Sequence, residues 1–243
     1  MWYRVRPFAE GLAELVWPRD CQLCECSLPP SLAERWLCDD CQAAVTADDA
    51  LTCPRCSSTV GPHVDATDGC PRCRSRRVRF DGAIRLGVYD GRLRLAVLAL
   101  KHAGGEPLAE HLGRAWAAKR GEQLTVPPPT VVVPVPLHWL RRFHRGYNQS
   151  AAIARGVATG LSLPCANPLR RVRATPYQTA RSATERAANV RDAFRLRVGA
   201  VVRGERVLLV DDVLTTGATA DACAGVLLAT GAAQVRVAVL AHR

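Results

Sequence analysis

Apolar and polar positions change rhythm along the chain. Three stretches, "TVVVPVP" (130–136), "RVLLVDD" (206–212) and "AQVRVAVLAHR" (233–243), are apolar over consecutive positions, as a strand covered on both faces must be. Between them, "NQSAAIARGVATGL" (148–161) predicts a helix opened by Asn148. "TTGATADACAGVLLATG" (215–231) predicts a second, closed by Gly231. Further upstream, residues 80–90 alternate as a strand does. Residues 92–101 follow helical spacing through Leu95, Val97 and Leu98, and a helix is expected over 105–119. The prolines of "LTVPPP" (124–129) forbid helix or central strand and mark a linker. Strands joined by helices predict an α/β fold: a parallel sheet flanked by helices, with ligands at the carboxyl ends of its strands.

Before residue 79 the rhythm is lost and cysteines take over. Residues 8–17 read as a short amphipathic helix, in which Glu10 and Glu14 interrupt any signal-type apolar core. Eight of the eleven cysteines then form four C-x-x-C pairs: Cys21/Cys24, Cys38/Cys41, Cys53/Cys56 and Cys70/Cys73. Each cysteine of the first two pairs recurs 32 positions later. A two-residue gap lets two thiolates converge from one turn, and two turns complete a tetrahedral sulfur shell. The repeat therefore predicts two structural Zn²⁺ sites, each built from neighbouring pairs. A crossed pairing, or one zinc beside incidental cysteines, is compatible with the same spacing; a reducing cytosol disfavours disulfides. Cys26 falls outside the repeat, because Ser58 occupies its counterpart, and it is read as a non-ligand. Cys165 and Cys223 stand in apolar contexts and are expected in the core. The division is thus 1–78, a helix and a double zinc ribbon, and 79–243, the α/β domain.

The candidate chemistry sits in "VLLVDDVLTTGAT" (207–219). Val207 to Val210 are expected to form the strand, with Asp211 and Asp212 at its carboxyl end. The following turn leads into a helix whose first N–H groups are free, an anion pocket. Thr215, Thr216 and Thr219 add hydroxyls, Gly217 lets the backbone approach closely, and Ala218 opens the helix. Carboxylates facing a phosphate would repel it, whereas carboxylates facing vicinal hydroxyls accept hydrogen bonds. The ligand that matches is a ribose 5-phosphate. A helix N-cap explains one acidic residue here, not two beside three threonines.

This stretch closely resembles the ribose-phosphate signature of type I phosphoribosyltransferases. The resemblance extends over nearly the whole chain to the ComF family. It is carried by "VPVPLHWLRRFHRGYNQS" (133–150), "ATPYQTARSATERAANVRDAF" (174–194), the "LKHAG" around Lys101 and the cysteine pairs. It implies a type I phosphoribosyltransferase-like parallel sheet preceded by a small cysteine-rich zinc-ribbon module. The ligand it implies is phosphoribosyl pyrophosphate with Mg²⁺. Pro136, Arg141, Arg142 and Arg145 would then belong to a pyrophosphate loop, joined by Lys101. Tyr177, Gln178, Arg181 and Arg186 would belong to a loop that closes over the sugar. The role implied is in competence, with single-stranded DNA and DNA-uptake proteins as partners.

Charge bears on that role. The 33 basic residues outnumber the 22 acidic ones, a formal +11 that two zinc-thiolate shells would reduce to +7. Residues 141–197 hold twelve arginines and two acids. Such an excess suits phosphate-bearing partners, although an aromatic content of 5% is low for base stacking. No apolar run is long enough to span a membrane, and a cytoplasmic protein is expected. Two other readings share the ligand: an active phosphoribosyltransferase of nucleobase salvage or nucleotide metabolism, and a regulator that senses phosphoribosyl pyrophosphate. The first needs a base-recognition hood, and no segment identifies itself as one.

Overall fold

The computed structural model describes residues 20–29, 35–173 and 192–243. The helix expected over 8–17, and the closing-loop residues Tyr177, Gln178, Arg181 and Arg186, lie outside them. The elements begin with two short helices of the cysteine-rich segment, α1 (Asp39–Val45) and α2 (Pro71–Arg74). Next come β1 (Gly82–Val88), α3 (Gly91–Ala99), α4 (Glu106–Leu124), β2 (Val131–Pro134), α5 (Trp139–Arg145) and α6 (Gln149–Leu161). Two short strands, β3 (Leu169–Arg171) and β4 (Phe194–Leu196), precede β5 (Arg206–Leu214), α7 (Ala218–Ala229) and β6 (Gln234–His242).

The main sheet has the order β1-β6-β5-β2, and every pair in it is parallel. The middles of its strands are mainly apolar because both faces are covered. Leu208 and Val210 of β5 face a core with α3, α4 and α6, while Val207 and Leu209 face one with α7 and the β3–β4 pair. Cys21, Leu37, Cys41 and Val45 of the cysteine-rich segment belong to the first of these cores, so residues on both sides of position 78 share it.

Four expectations need correction. The helix expected over 105–119 does break there, at Arg120 (φ −127°), but helical turns resume beyond the kink to Leu124, so the proline linker starts later. The loop expected after β2 is largely helix α5, capped by His138 and closed by Gly146 at φ +83°. Strand β5 does not stop at Val210: β6 beside it is equally long, and pairing continues from Asp211 opposite Val239 to Leu214 opposite His242. Cys223 is buried as expected, but Cys165 is exposed. Its backbone bridges Val132 on the outer edge of β2, where protein lies on one side only.

Helices α4 and α6 cross at backbone contact. A Cβ on Gly113 would lie 2.3 Å from the Ile153 carbonyl oxygen, and one on Gly156 would lie 2.1 Å from that of Glu110. Both obstacles are backbone, so the helices must separate to admit a methyl group. Gly113→Ala and Gly156→Ala are each expected to cost about 1–3 kcal/mol. Gly121→Ala, whose Cβ would meet only the Leu161 side chain at 3.7 Å, should cost nothing. Urea denaturation of the three variants checks the contrast; equal stabilities would mean the crossing is looser than described.

Candidate ligand and metal sites

The two aspartates lie in the carboxyl-terminal half of β5, each with a defined partner on α6. Ser150 Oγ donates to Asp211 Oδ1 at 2.8 Å, and Gln149 Nε2 donates to Asp212 Oδ2 at 3.1 Å. The backbone N–H of Asp212 donates to Asp211 Oδ1 at 2.9 Å, and that of Val213 to Asp212 Oδ1 at 2.8 Å. Burial, and then the adjacent charge of Asp212, push the Asp211 carboxyl up to about 7. Arg171 on β3 and the bond from Ser150 pull the other way. Two like charges meet here with little positive charge to offset them, an arrangement that a cation or hydroxyl donors would relieve.

Gln149 and Ser150 were missed as site residues, although the quoted "GYNQS" held the signal. Asn148 caps α6 by accepting from the Ser150 N–H at 3.2 Å, and its Nδ2 donates to the Val135 carbonyl at 3.0 Å. That double tie brings the start of α6 to the end of β2, beside buried Pro136. Arg145, on α5 with Arg141 and Arg142, donates to Gln149 Oε1. Arg145, Gln149 and Asp212 thus form one chain of contacts. The turn that carries Lys101 is fastened nearby, since the Tyr147 hydroxyl donates to the Leu100 carbonyl.

The turn after β5 has the features of an anion seat. Gly217 takes φ +71°, the left-handed conformation that glycine adopts without strain, and α7 starts at Ala218. Among the described residues, the N–H groups of Thr215, Thr216 and Gly217 make no hydrogen bond. Thr216 Oγ1 accepts weakly from the Ala218 N–H at 3.4 Å, and Thr219 stands in the first turn of α7. Free N–H groups, hydroxyls and the helix dipole converge here, and the carboxylate of the first turn, Asp221, is engaged by Arg79.

The cysteines gather into two clusters, each drawn from neighbouring pairs. Cys53, Cys56, Cys70 and Cys73 bring their sulfurs within 4.8 Å of one another. The Cys56–Cys70 and Cys53–Cys73 distances are 3.7 and 4.0 Å. A tetrahedral shell with Zn–S near 2.3 Å has edges of about 3.8 Å, so the four sulfurs fit zinc. The first cluster departs from the repeat. Cys21, Cys24 and Cys38 are joined by Cys26, whose sulfur is 3.3 Å from that of Cys24. Cys41 receives a 2.8 Å bond from Arg92 Nη1 and stays in contact with Cys24, Cys21 and Cys38. Cys26, expected to be a non-ligand, thus lies as close to the cluster as Cys41 does, and five thiols surround one metal position.

Residues 148–243 match the Phosphoribosyl transferase domain family. Strands β5 and β6 and the turn between β5 and α7 thus fall in a phosphoribosyltransferase-type domain, here preceded by two cysteine clusters. Over most of its length the chain is similar to DNA utilization protein YhgH of Salmonella typhi, with 35% identity over 92% of this chain and 96% of that protein. It is also similar to Competence protein F of Haemophilus influenzae, with 30% identity over 85% of this chain and 90% of the other. The crystal structure of purine phosphoribosyltransferase from Pyrococcus horikoshii superposes with a TM-score of 0.32 and 16% identity, over 66% of this chain and 77% of that one. The chain belongs to the ComF family, that of Competence protein F. Among the described residues no helix is long and apolar enough to cross a membrane.

Metal content gives a direct test of the clusters. Cys53→Ser should lower zinc from two ions per chain to one. In the first cluster either spare thiol can complete the shell. Cys26→Ser and Cys41→Ser should each keep two ions, and only the double variant should fall to one. Elemental analysis of reduced protein reads this; loss of an ion from Cys41→Ser alone would restore the strict repeat.

Proposed function

We propose that this chain binds phosphoribosyl pyrophosphate with Mg²⁺ at the carboxyl end of β5 and acts in the handling of single-stranded DNA. The observation that carries the ligand is the union, within residues 211–219, of two adjacent carboxylates with a turn of free N–H groups. The 5-phosphate sits on Thr215, Thr216, Gly217 and the start of α7 at Ala218 and Thr219, where the donors of the turn are neutral and Asp221 is held by Arg79. Asp211 and Asp212 accept from the ribose hydroxyls. Ser150 and Gln149, each holding one oxygen of a carboxylate, orient the remaining lone pairs toward the sugar. Arg145 lies behind Gln149, and Pro136 stiffens the approach to α5, so the pyrophosphate meets α5 on the side of Arg145. Paired carboxylates are hard oxygen donors that suit Mg²⁺, which neutralises the pyrophosphate charge when bound.

The names of the relatives point to DNA, and α5 supplies a surface for it. Trp139 and Phe143 are 68% and 82% exposed, four residues apart on one helix, with exposed Arg142 and His144 alongside. Low aromatic content thus did not mean absent aromatics: two of the few stand in solvent where bases can stack. A reducing compartment such as the cytoplasm suits eleven free thiols.

Two outcomes follow for the ligand and one for DNA. Asp211→Asn or Asp212→Asn replaces a charged acceptor, whose bond contributes about 1.5–3 kcal/mol, by a neutral one near 1. Each should weaken phosphoribosyl pyrophosphate roughly tenfold in calorimetric titration and leave inorganic phosphate nearly unchanged, whereas Thr216→Val should weaken both. Equal loss of phosphate in the Asp variants would mean that the carboxylates hold the loop rather than the sugar. The second outcome concerns pH. A folded pKa raised to about 7 means that Asp211 gains a proton as pH falls through 7. Affinity in Mg²⁺ should then drop by up to about tenfold per pH unit below 7, and Asp211→Asn should remove that step. The same shift makes the ligand-free fold more stable in acid, with that increment present below about pH 4 and lost as pH rises through 7. For DNA, Trp139→Ala with Phe143→Ala should cost about 1–3 kcal/mol per stacked base without altering the salt slope, while Arg142→Gln should flatten that slope by about 0.7. Unaltered affinity in the aromatic variant would move the strand to another surface.

A further inference from the structure

A cavity of about 260 Å³ lies between the second cysteine cluster and the turn after β5. Thr215, Thr216 and Gly217 form one wall. Arg72 and Arg76, from α2 and the residues after it, line the other, with Phe80 and His242 between. No carboxylate lines it. The volume is just under the roughly 300–1,000 Å³ of pockets for drug-sized molecules, so it suits a phosphate and part of a sugar.

The arginines of this module divide into two kinds. Arg55 donates to the Cys73 carbonyl at 3.0 Å, and Arg74 donates to the carbonyls of Gly69 and Asp65 at 3.2 and 2.7 Å. Those two hold the module's own backbone. Arg72 and Arg76 have no side-chain hydrogen bond or ion pair among the described residues, yet they face a cavity whose far wall is a row of free N–H groups. Their position is firm. The chain just beyond them is tied to α7 by Arg79 and Asp221 at 2.7 Å, and Ser58 meets His242 at 3.3 Å.

We propose that the phosphate subsite is shared: a phosphate seated on residues 215–217 is also gripped by Arg72 and Arg76 of the second cysteine module. This deepens the reading of 211–219 as a phosphoribosyl site and rests on it. It also joins metal to ligand. The four cysteines hold the segment that carries both arginines, so zinc at this module and sugar phosphate on the turn favour one another, and the coupling is reciprocal. The competing role for these cations is to balance the thiolates, since four thiolates around one Zn²⁺ leave a formal charge of −2. That role predicts loss of zinc from the arginine variant and no influence of the ligand on zinc.

Ribose 5-phosphate without Mg²⁺ is the probe, because it lacks the pyrophosphate that would itself bind zinc. In calorimetry on the full zinc-loaded chain, Arg72→Gln with Arg76→Gln should keep two zinc ions and bind ribose 5-phosphate roughly ten- to a hundredfold more weakly. In the unaltered chain, saturating ribose 5-phosphate should slow severalfold the release of one of the two zinc ions to a chromogenic chelator, and ribose should not. Unchanged affinity in the variant overturns the shared grip. If the variant loses zinc, the release experiment on the unaltered chain decides, and equal rates with and without ribose 5-phosphate overturn the coupling. Failure of the unaltered chain to bind ribose 5-phosphate at all would instead remove the underlying reading of the turn.

Discussion

The architecture depends on one buried cation. Arg85 projects from β1 with only 4% of its surface exposed, and two segments supply three partners to it. Its Nε bonds Asp48 at 2.8 Å, Nη1 the Ser57 carbonyl at 2.9 Å, and Nη2 the Thr59 hydroxyl at 2.7 Å. Asp48 follows the first cysteine cluster, and Ser57 and Thr59 belong to the turn of the second. The guanidinium thus ties both parts of the cysteine-rich segment to the edge strand of the sheet, beside the apolar core that Cys21, Leu37, Cys41 and Val45 share. Removing one partner of such a pair leaves an uncompensated buried charge, at a cost of about 3–5 kcal/mol. The second cluster has little else to hold it: its apolar core is Cys53, Cys70 and Cys73, with Cys56 and Val60 against them. Metal, Arg85 and the Arg79–Asp221 pair do what apolar burial does elsewhere in the chain.

Once the module is fixed, its position sets the chemistry. Parallel strands β5 and β6 end together, and their carboxyl ends face the module through Leu214 and His242. The aspartates lie on the opposite side of the same turn, toward α6, where Ser150 and Gln149 hold them. One short segment thus divides two tasks. Its negative end is turned to one set of neighbours and its anion-binding end to another, so the carboxylates do not repel the phosphate. Keeping two adjacent carboxylates without a full counter-charge is a local cost, visible in the raised pKa of Asp211. Such a cost is common where a ligand completes the electrostatics.

Much of this was legible along the chain. The apolar runs located the buried strands, Asn148 and Gly231 marked helix ends, and the doubled aspartate before a threonine-glycine turn located the site. What escaped depended on neighbours distant in sequence. No local signal shows that β6 is long enough to keep Asp211 to Leu214 paired. The two-strand pair β3–β4 is only three residues per strand and is held by tertiary contact. The repeat gives no sign that Cys26 lies 3.3 Å from Cys24 or that Arg92, far along the chain, bonds Cys41. Trp139 and Phe143 look like core residues by type, and only the solvent-facing side of α5 shows otherwise. The place of Arg72 and Arg76 opposite the turn follows from Arg85 and Arg79, a folded-state relation with no trace in spacing.

The central claim is that the cysteine module and the phosphoribosyltransferase-type domain form one ligand site. Hydrogen exchange of the zinc-loaded chain, with and without saturating phosphoribosyl pyrophosphate and Mg²⁺, tests it most directly. Protection is expected to rise together in two separated segments, residues 211–220 and residues 70–80, with no change around the first cysteine cluster. Protection confined to 211–220 would contradict it and leave the module as scaffold alone.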